Sequence, residues 1–78
     1  MVRKPFIRCL GEEVRERRKA LGLSQIALAH DAEIHPNVVG RLERGAYNPT
    51  VTLLELLIVP LKVELSELIA GAERRRGP

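Results

Sequence analysis

Apolar side chains recur at helical spacing along nearly the whole chain, and no stretch alternates apolar and polar residues as a half-buried strand would. Leu10, Val14 and Leu21 fall on one face of a first helix expected from about Arg8 to Ala20, with Glu12, Glu13, Glu16 and Lys19 on its other faces. Gly22 can take the left-handed conformation that ends a helix. Ser24 has the hydroxyl to cap a second helix of about two turns, whose narrow inward face is Leu28 and Ala29. After Asp31 and Ala32 the chain turns, and Ile34 points back to the core. His35 is expected to cap a third helix, with Pro36 at its first position, where the missing N–H costs nothing. Val39 and Leu42 form its inward stripe and leave Asn37, Val38 and Arg41 on outward or flanking faces. The stretch from Arg44 to Pro49 reads as loop. Thr50 caps a fourth helix with Val51, Leu54, Leu57 or Ile58, and Leu61 on its core stripe, and Pro60 is expected to end or kink it at the preceding residue. A last helix, from about Glu64 to Ala70, carries Leu65, Leu68 and Ile69, and Gly71 is placed to stop it.

The predicted fold class is all-α, a compact arrangement of five helices. With 78 residues it forms one domain around one modest core, with an arm over 1–7, the domain over 8–71 and a basic, disordered tail over 72–78. No second, sensing domain is expected in a chain of this length, and so no small-molecule ligand is expected. The composition is 45% apolar with only Phe6 and Tyr47 aromatic, so the core must be aliphatic.

Thirteen basic residues against ten acidic ones give a formal charge of +3, which tilts the partner list toward polyanions. The excess is clustered: Arg3, Lys4 and Arg8 lead the chain, Arg15, Arg17, Arg18 and Lys19 follow, and Arg74, Arg75 and Arg76 come near its end. Cys9 is the single cysteine, which excludes an intramolecular disulfide and fits a reducing cytoplasm. No signal peptide and no membrane span are expected. Paired carboxylates, Cys/His or Ser/His/Asp sets and glycine-rich phosphate loops are all missing, so the chain is not read as an enzyme and no cofactor is expected. With His30 and His35 as its only histidines, no metal site is expected either.

Two short helices joined by a tight turn, the second presenting polar residues outward, are the elements of a helix-turn-helix, here over about 24–43. The residues from Leu21 through Ser24, Gln25, Leu28 and Ala29, then from Ile34 to Gly45 with Val39, Leu42 and Glu43, then Asn48-Pro49, closely resemble the Cro and lambda-repressor-like family, also called the xenobiotic-response-element type. The resemblance runs from Leu10 to Leu68. It implies a five-helix DNA-binding domain that acts as a transcriptional regulator or repressor, bound as a homodimer to a partly palindromic operator on double-stranded DNA. The third helix would enter the major groove, which is about 12 Å wide. The Ile34-His35-Pro36 segment and the short chain are similar to the controller proteins of restriction-modification systems.

Carried over residue by residue, the resemblance places Gln25 at a helix start that holds a phosphate, a role the positive end of a helix dipole favours. Ser24, His35, Arg44, Tyr47 and Asn48 would be further phosphate contacts, which set register and affinity more than sequence. Asn37 and Arg41 would face base edges, Asn suiting adenine and Arg the O6 and N7 acceptors of guanine, while Pro36 and Val38 could touch thymine methyl groups. Arg18 and Glu43 match a partly buried structural ion pair. Two departures stand out: Glu33 occupies a turn position the family fills with glycine, and Pro60 and Lys62 replace a small residue and a glycine at the end of the fourth helix. The fourth helix also has more leucine than one core stripe needs. Leu53, Leu56 and Val59, extended by Leu65 and Ile69, are therefore the expected dimer interface. The alternative reading is a protein-interaction module, such as an antitoxin or anti-repressor, on the same fold.

Overall fold

The computed structural model describes residues 4–77; the first residues of the expected arm, Arg3 among them, and the last residue of the expected tail lie outside the described residues. Five helices follow one another: α1 Phe6–Ala20, α2 Gln25–Ala32, α3 Pro36–Glu43, α4 Val51–Leu61 and α5 Leu65–Arg75. α1 packs on α3 and α5, α2 on α3 and α4, and α4 on α5. The core between them is aliphatic: Cys9, Val14, Leu28, Ala29, Val39, Leu42, Leu57, Leu68 and Ala72 are all fully buried.

The caps form where oxygen or nitrogen acceptors were expected. Ser24 Oγ accepts from the Ala27 N–H at 2.9 Å, His35 Nδ1 from the Asn37 N–H at 3.0 Å, and Thr50 Oγ1 from the Leu53 N–H at 3.0 Å. Each satisfies one backbone donor that a helix start leaves without a partner.

Two expected helix bounds and two expected core positions need correction. α1 begins at Phe6, inside the expected arm, because Pro5 at φ −57° already has helical φ and its carbonyl accepts from the N–H groups of Arg8 and Cys9. Leu21 lies past the end of α1, in the turn that Gly22 closes at φ 72°, and is 41% exposed. Val51, expected in the core, opens α4 on its outer side and is 63% exposed. α4 runs through Pro60 to Leu61. A proline so close to the end forfeits a single intrahelical bond, the one to the carbonyl of Leu56, and Leu56 lies at the surface where water can serve.

The end of the chain departs further. α5 does not stop at Gly71 but continues to Arg75, and Ala72, expected in a disordered tail, is fully buried. Gly71 is there for close packing: a Cβ on it would collide with the carboxylate of Glu13 on α1. Glu13 in turn accepts from Arg17 Nε at 2.7 Å and from Arg75 Nε at 2.8 Å, so that its carboxylate pins the far half of α5 to α1. Burial alone would push the Glu13 carboxyl up, but the hydrogen bonds and charges of Arg75 and Arg17 outweigh it and hold the group below the usual range.

Glu33 (φ 59°) and Lys62 (φ 56°), the two departures from glycine, both adopt the left-handed conformation. The Cβ of a non-glycine residue is strained there. Glu33→Gly or Lys62→Gly should therefore stabilise the domain by about 0.5–1 kcal/mol each, the relief of strain exceeding the added freedom of the unfolded chain. Urea unfolding would register this as a higher midpoint at constant slope.

Candidate nucleic-acid interface

The start of α2 and the outward side of α3 form an open surface groove of about 540 Å³, lined by Gln25, Ile26, Pro36, Asn37, Gly40, Arg41 and Arg44. The two caps shape it. Because Ser24 Oγ takes only the Ala27 N–H, the N–H groups of Gln25 and Ile26 at the start of α2 have no intrahelical partner and carry the positive end of the helix dipole. His35 begins α3 immediately across the turn and brings Pro36 and Asn37 to the same groove.

Beneath the groove lies one ionic node. Arg18 Nε and Nη2 donate to the two oxygens of Glu43 at 2.7 and 3.0 Å, and Arg18 Nη1 donates to the Leu23 carbonyl at 2.7 Å. Both side chains are almost entirely buried, and the hydrogen bonds from Arg18 to Glu43 raise the Arg18 pKa. Glu43 also accepts from Gln25 Nε2 at 3.0 Å. One carboxylate therefore ties α1, the start of α2 and the end of α3 together and fixes the angle at which α3 is presented.

The outward residues divide into free and engaged. Asn37 and Arg41 are exposed on α3, Pro36 and Val38 are half-buried, and the Asn37 side chain makes no hydrogen bond among the described residues. Arg44 is exposed and has no ion pair among the described residues, and its Nη1 would lie 3.3 Å from a Cβ at position 40, so Gly40 keeps the groove floor low beneath it. Asn48 is exposed, and Tyr47 is half-buried against the core. The Ser24 hydroxyl and His35 Nδ1 already serve as caps, which leaves the hydroxyl proton and Nε2 as the atoms able to meet a ligand. The Gln25 side chain is likewise committed to Glu43.

Two participants escaped the sequence reading. Ile26 is 69% exposed on the groove wall, and its signal was an apolar residue off the Leu28 and Ala29 face. Arg8 lies against the loop after α3, where a Cβ on Gly45 would come within 3.1 Å of its Cα. Nothing local in sequence announces that contact. Among the described residues no group of three His, Cys, Asp or Glu side chains is placed to hold a metal ion, and no helix is long and apolar enough to cross a membrane.

A capped helix, a left-handed turn and a second helix with a polar exposed face are the defining parts of a helix-turn-helix. The chain belongs to the helix-turn-helix family, whose model matches residues 14–68. It is similar in structure to the clp gene regulator ClgR from Corynebacterium glutamicum, with a TM-score of 0.91, 21% identity and 96% of each chain covered. It is also similar to the restriction-modification controller protein C.AhdI from Aeromonas hydrophila, with a TM-score of 0.78, 35% identity, and 80% of this chain and 94% of that one covered. A third likeness is to the controller protein C.Esp1396I, solved as a tetramer with its natural 35 base-pair operator, with a TM-score of 0.81, 20% identity, and 90% and 92% covered. No curated protein matches the sequence.

Proposed function

We propose that this chain, a DNA-binding regulator of transcription by family and fold, reads a partly palindromic operator as a two-fold dimer with α3 in the major groove. The observation that carries this reading is the groove itself. Unpartnered N–H groups at the start of α2, the free Asn37 amide, Arg41 and Arg44 converge on one exposed face, while the charges that could compete with them, Arg18 and Glu43, are neutralised beneath it. The division of labour follows from chemistry. Gln25 N–H, Arg44, Asn48 and the free atoms of Ser24, His35 and Tyr47 meet phosphates; Asn37 and Arg41 meet base edges; Pro36 and Val38 offer apolar contact to thymine methyl groups.

Exposed apolar groups on α4 supply the dimer surface: Leu56 is 43% and Val59 76% exposed, and Leu53, Leu65 and Ile69 are half-buried beside them. Pairing there would set two α3 helices about 34 Å apart, one helical turn of DNA. Acting on the chromosome, the protein would work in the cytoplasm at the nucleoid, as a binding protein and not an enzyme. The identity to C.AhdI supports a controller of a restriction-modification system as the closer description.

The test is base-by-base. On a duplex selected from a random pool by the wild-type protein, Arg41→Ala should lose about 1–3 kcal/mol of affinity and relax preference at one base pair per half-site. An equal loss on every duplex, with preference intact, would move Arg41 to the phosphate backbone.

A further inference from the structure

Arg41 and Tyr47 are joined by more than proximity in the chain. The Arg41 guanidinium lies over the Tyr47 ring, 5.5 Å from its centroid, and Arg41 Nη2 donates to the Ala46 carbonyl at 3.4 Å. The platform is itself fixed. Tyr47 packs against the core, and the loop that carries it is drawn in by hydrogen bonds from the Gly45 N–H to the Leu42 carbonyl at 3.0 Å and from the Ala46 N–H to the Arg41 carbonyl at 2.8 Å. A guanidinium held over a ring spends none of its N–H donors on that contact, because the attraction is between its charge and the ring face. One donor goes to Ala46, and the others stay available. An exposed arginine otherwise has among the largest rotamer freedoms of any side chain, and that freedom must be lost when it binds.

We infer that Tyr47 is a positioning residue for specificity: its ring holds the Arg41 guanidinium at the recognition face, so that the remaining N–H donors meet one guanine per half-site. This rests on the reading of Arg41 as a base contact. The Tyr47 hydroxyl makes no hydrogen bond among the described residues and has a separate part, donation to a phosphate. Ring and hydroxyl thus divide specificity from affinity within one side chain.

The two parts come apart on substitution. Affinities are measured for the duplex selected by the wild-type protein and for versions of it altered one base pair at a time. Tyr47→Phe keeps the platform and should weaken all duplexes alike, leaving discrimination at the Arg41 base pair unchanged. Tyr47→Leu retains apolar bulk against the core but removes the ring, and discrimination at that base pair alone should fall about two- to fivefold, the worth of an exposed cation–π contact. In an Arg41→Ala background the same substitution should change discrimination no further. In the free protein, NMR should show the Arg41 side-chain protons shifted upfield by the ring, a shift kept in Tyr47→Phe and lost in Tyr47→Leu. If Tyr47→Leu weakens every duplex evenly while Arg41→Ala still relaxes one base pair, the positioning role is overturned and the reading of Arg41 stands. If Arg41→Ala leaves every base preference intact, that reading falls and the positioning role with it.

Discussion

Glu43→Ala is expected to cost about 3–5 kcal/mol of folding stability, which is most or all of what a domain of this size possesses. The loss does not measure what the ion pair contributes. It is the cost of stranding the Arg18 guanidinium, which is 7% exposed and would keep only the Leu23 carbonyl as an acceptor, while the Gln25 amide loses its acceptor as well. The paired replacement Arg18→Met/Glu43→Leu removes both charges and keeps much of the volume, so it should recover most of the stability. The same double variant frees Gln25 and the end of α3. It should therefore bind DNA more weakly than its stability alone would suggest. Urea unfolding of the single and double variants checks the first statement; equal losses in both would mean that the loss is that of the ion pair itself and not of a stranded Arg18 charge.

The second large effect concerns assembly. In the proposed two-fold interface, Leu53→Lys/Leu56→Lys would introduce four charges and remove four leucine side chains. At about 1 kcal/mol for each side chain, some of them already half-covered in the monomer, the dimer should weaken by about 4 kcal/mol, roughly a thousandfold. Sedimentation at micromolar concentration should find a dimeric wild type and a monomeric variant with unchanged helix content. Half-site binding by the variant should then be weak and insensitive to the spacing of the two half-sites. A monomeric wild type, or a variant that still dimerises, would remove α4 as the interface.

What could be read from the residues alone divides along physical lines. Ser24, His35 and Thr50 were legible because capping is a local event, decided by one acceptor and the next two or three N–H groups. Short inward stripes and a turn indicated a helical hairpin, and the resemblance of Leu21 to Pro49 to the Cro and lambda-repressor-like family made it a helix-turn-helix. The left-handed Glu33 and Lys62 could be foreseen as departures from glycine. Gly71, by contrast, has the same local signature whether it ends a helix or lets one pack closely. Its role is set by Glu13, far away in the chain, whose bond to Arg75 carries α5 past the expected end at Ala70 to Arg75. Pro60 was misread because the cost of a helical proline depends on where the freed carbonyl points, which only the fold decides. In the interface, the family resemblance suggested Gln25 and Arg41 as contacts. Their commitments to Glu43 and Tyr47 needed coordinates.

Binding of duplex DNA by the α2 and α3 face, through phosphates and bases together, is put to the test by a salt titration. A labelled duplex selected from a random pool should be bound tightly at about 50 mM salt. The logarithm of affinity should then fall linearly with the logarithm of salt concentration up to about 200 mM, as expected when several phosphates per dimer release their counterions. A duplex of scrambled sequence should show a similar slope at far lower affinity. Failure to bind any selected duplex at low salt, or binding that salt does not weaken, would rule out this face as a DNA-binding surface.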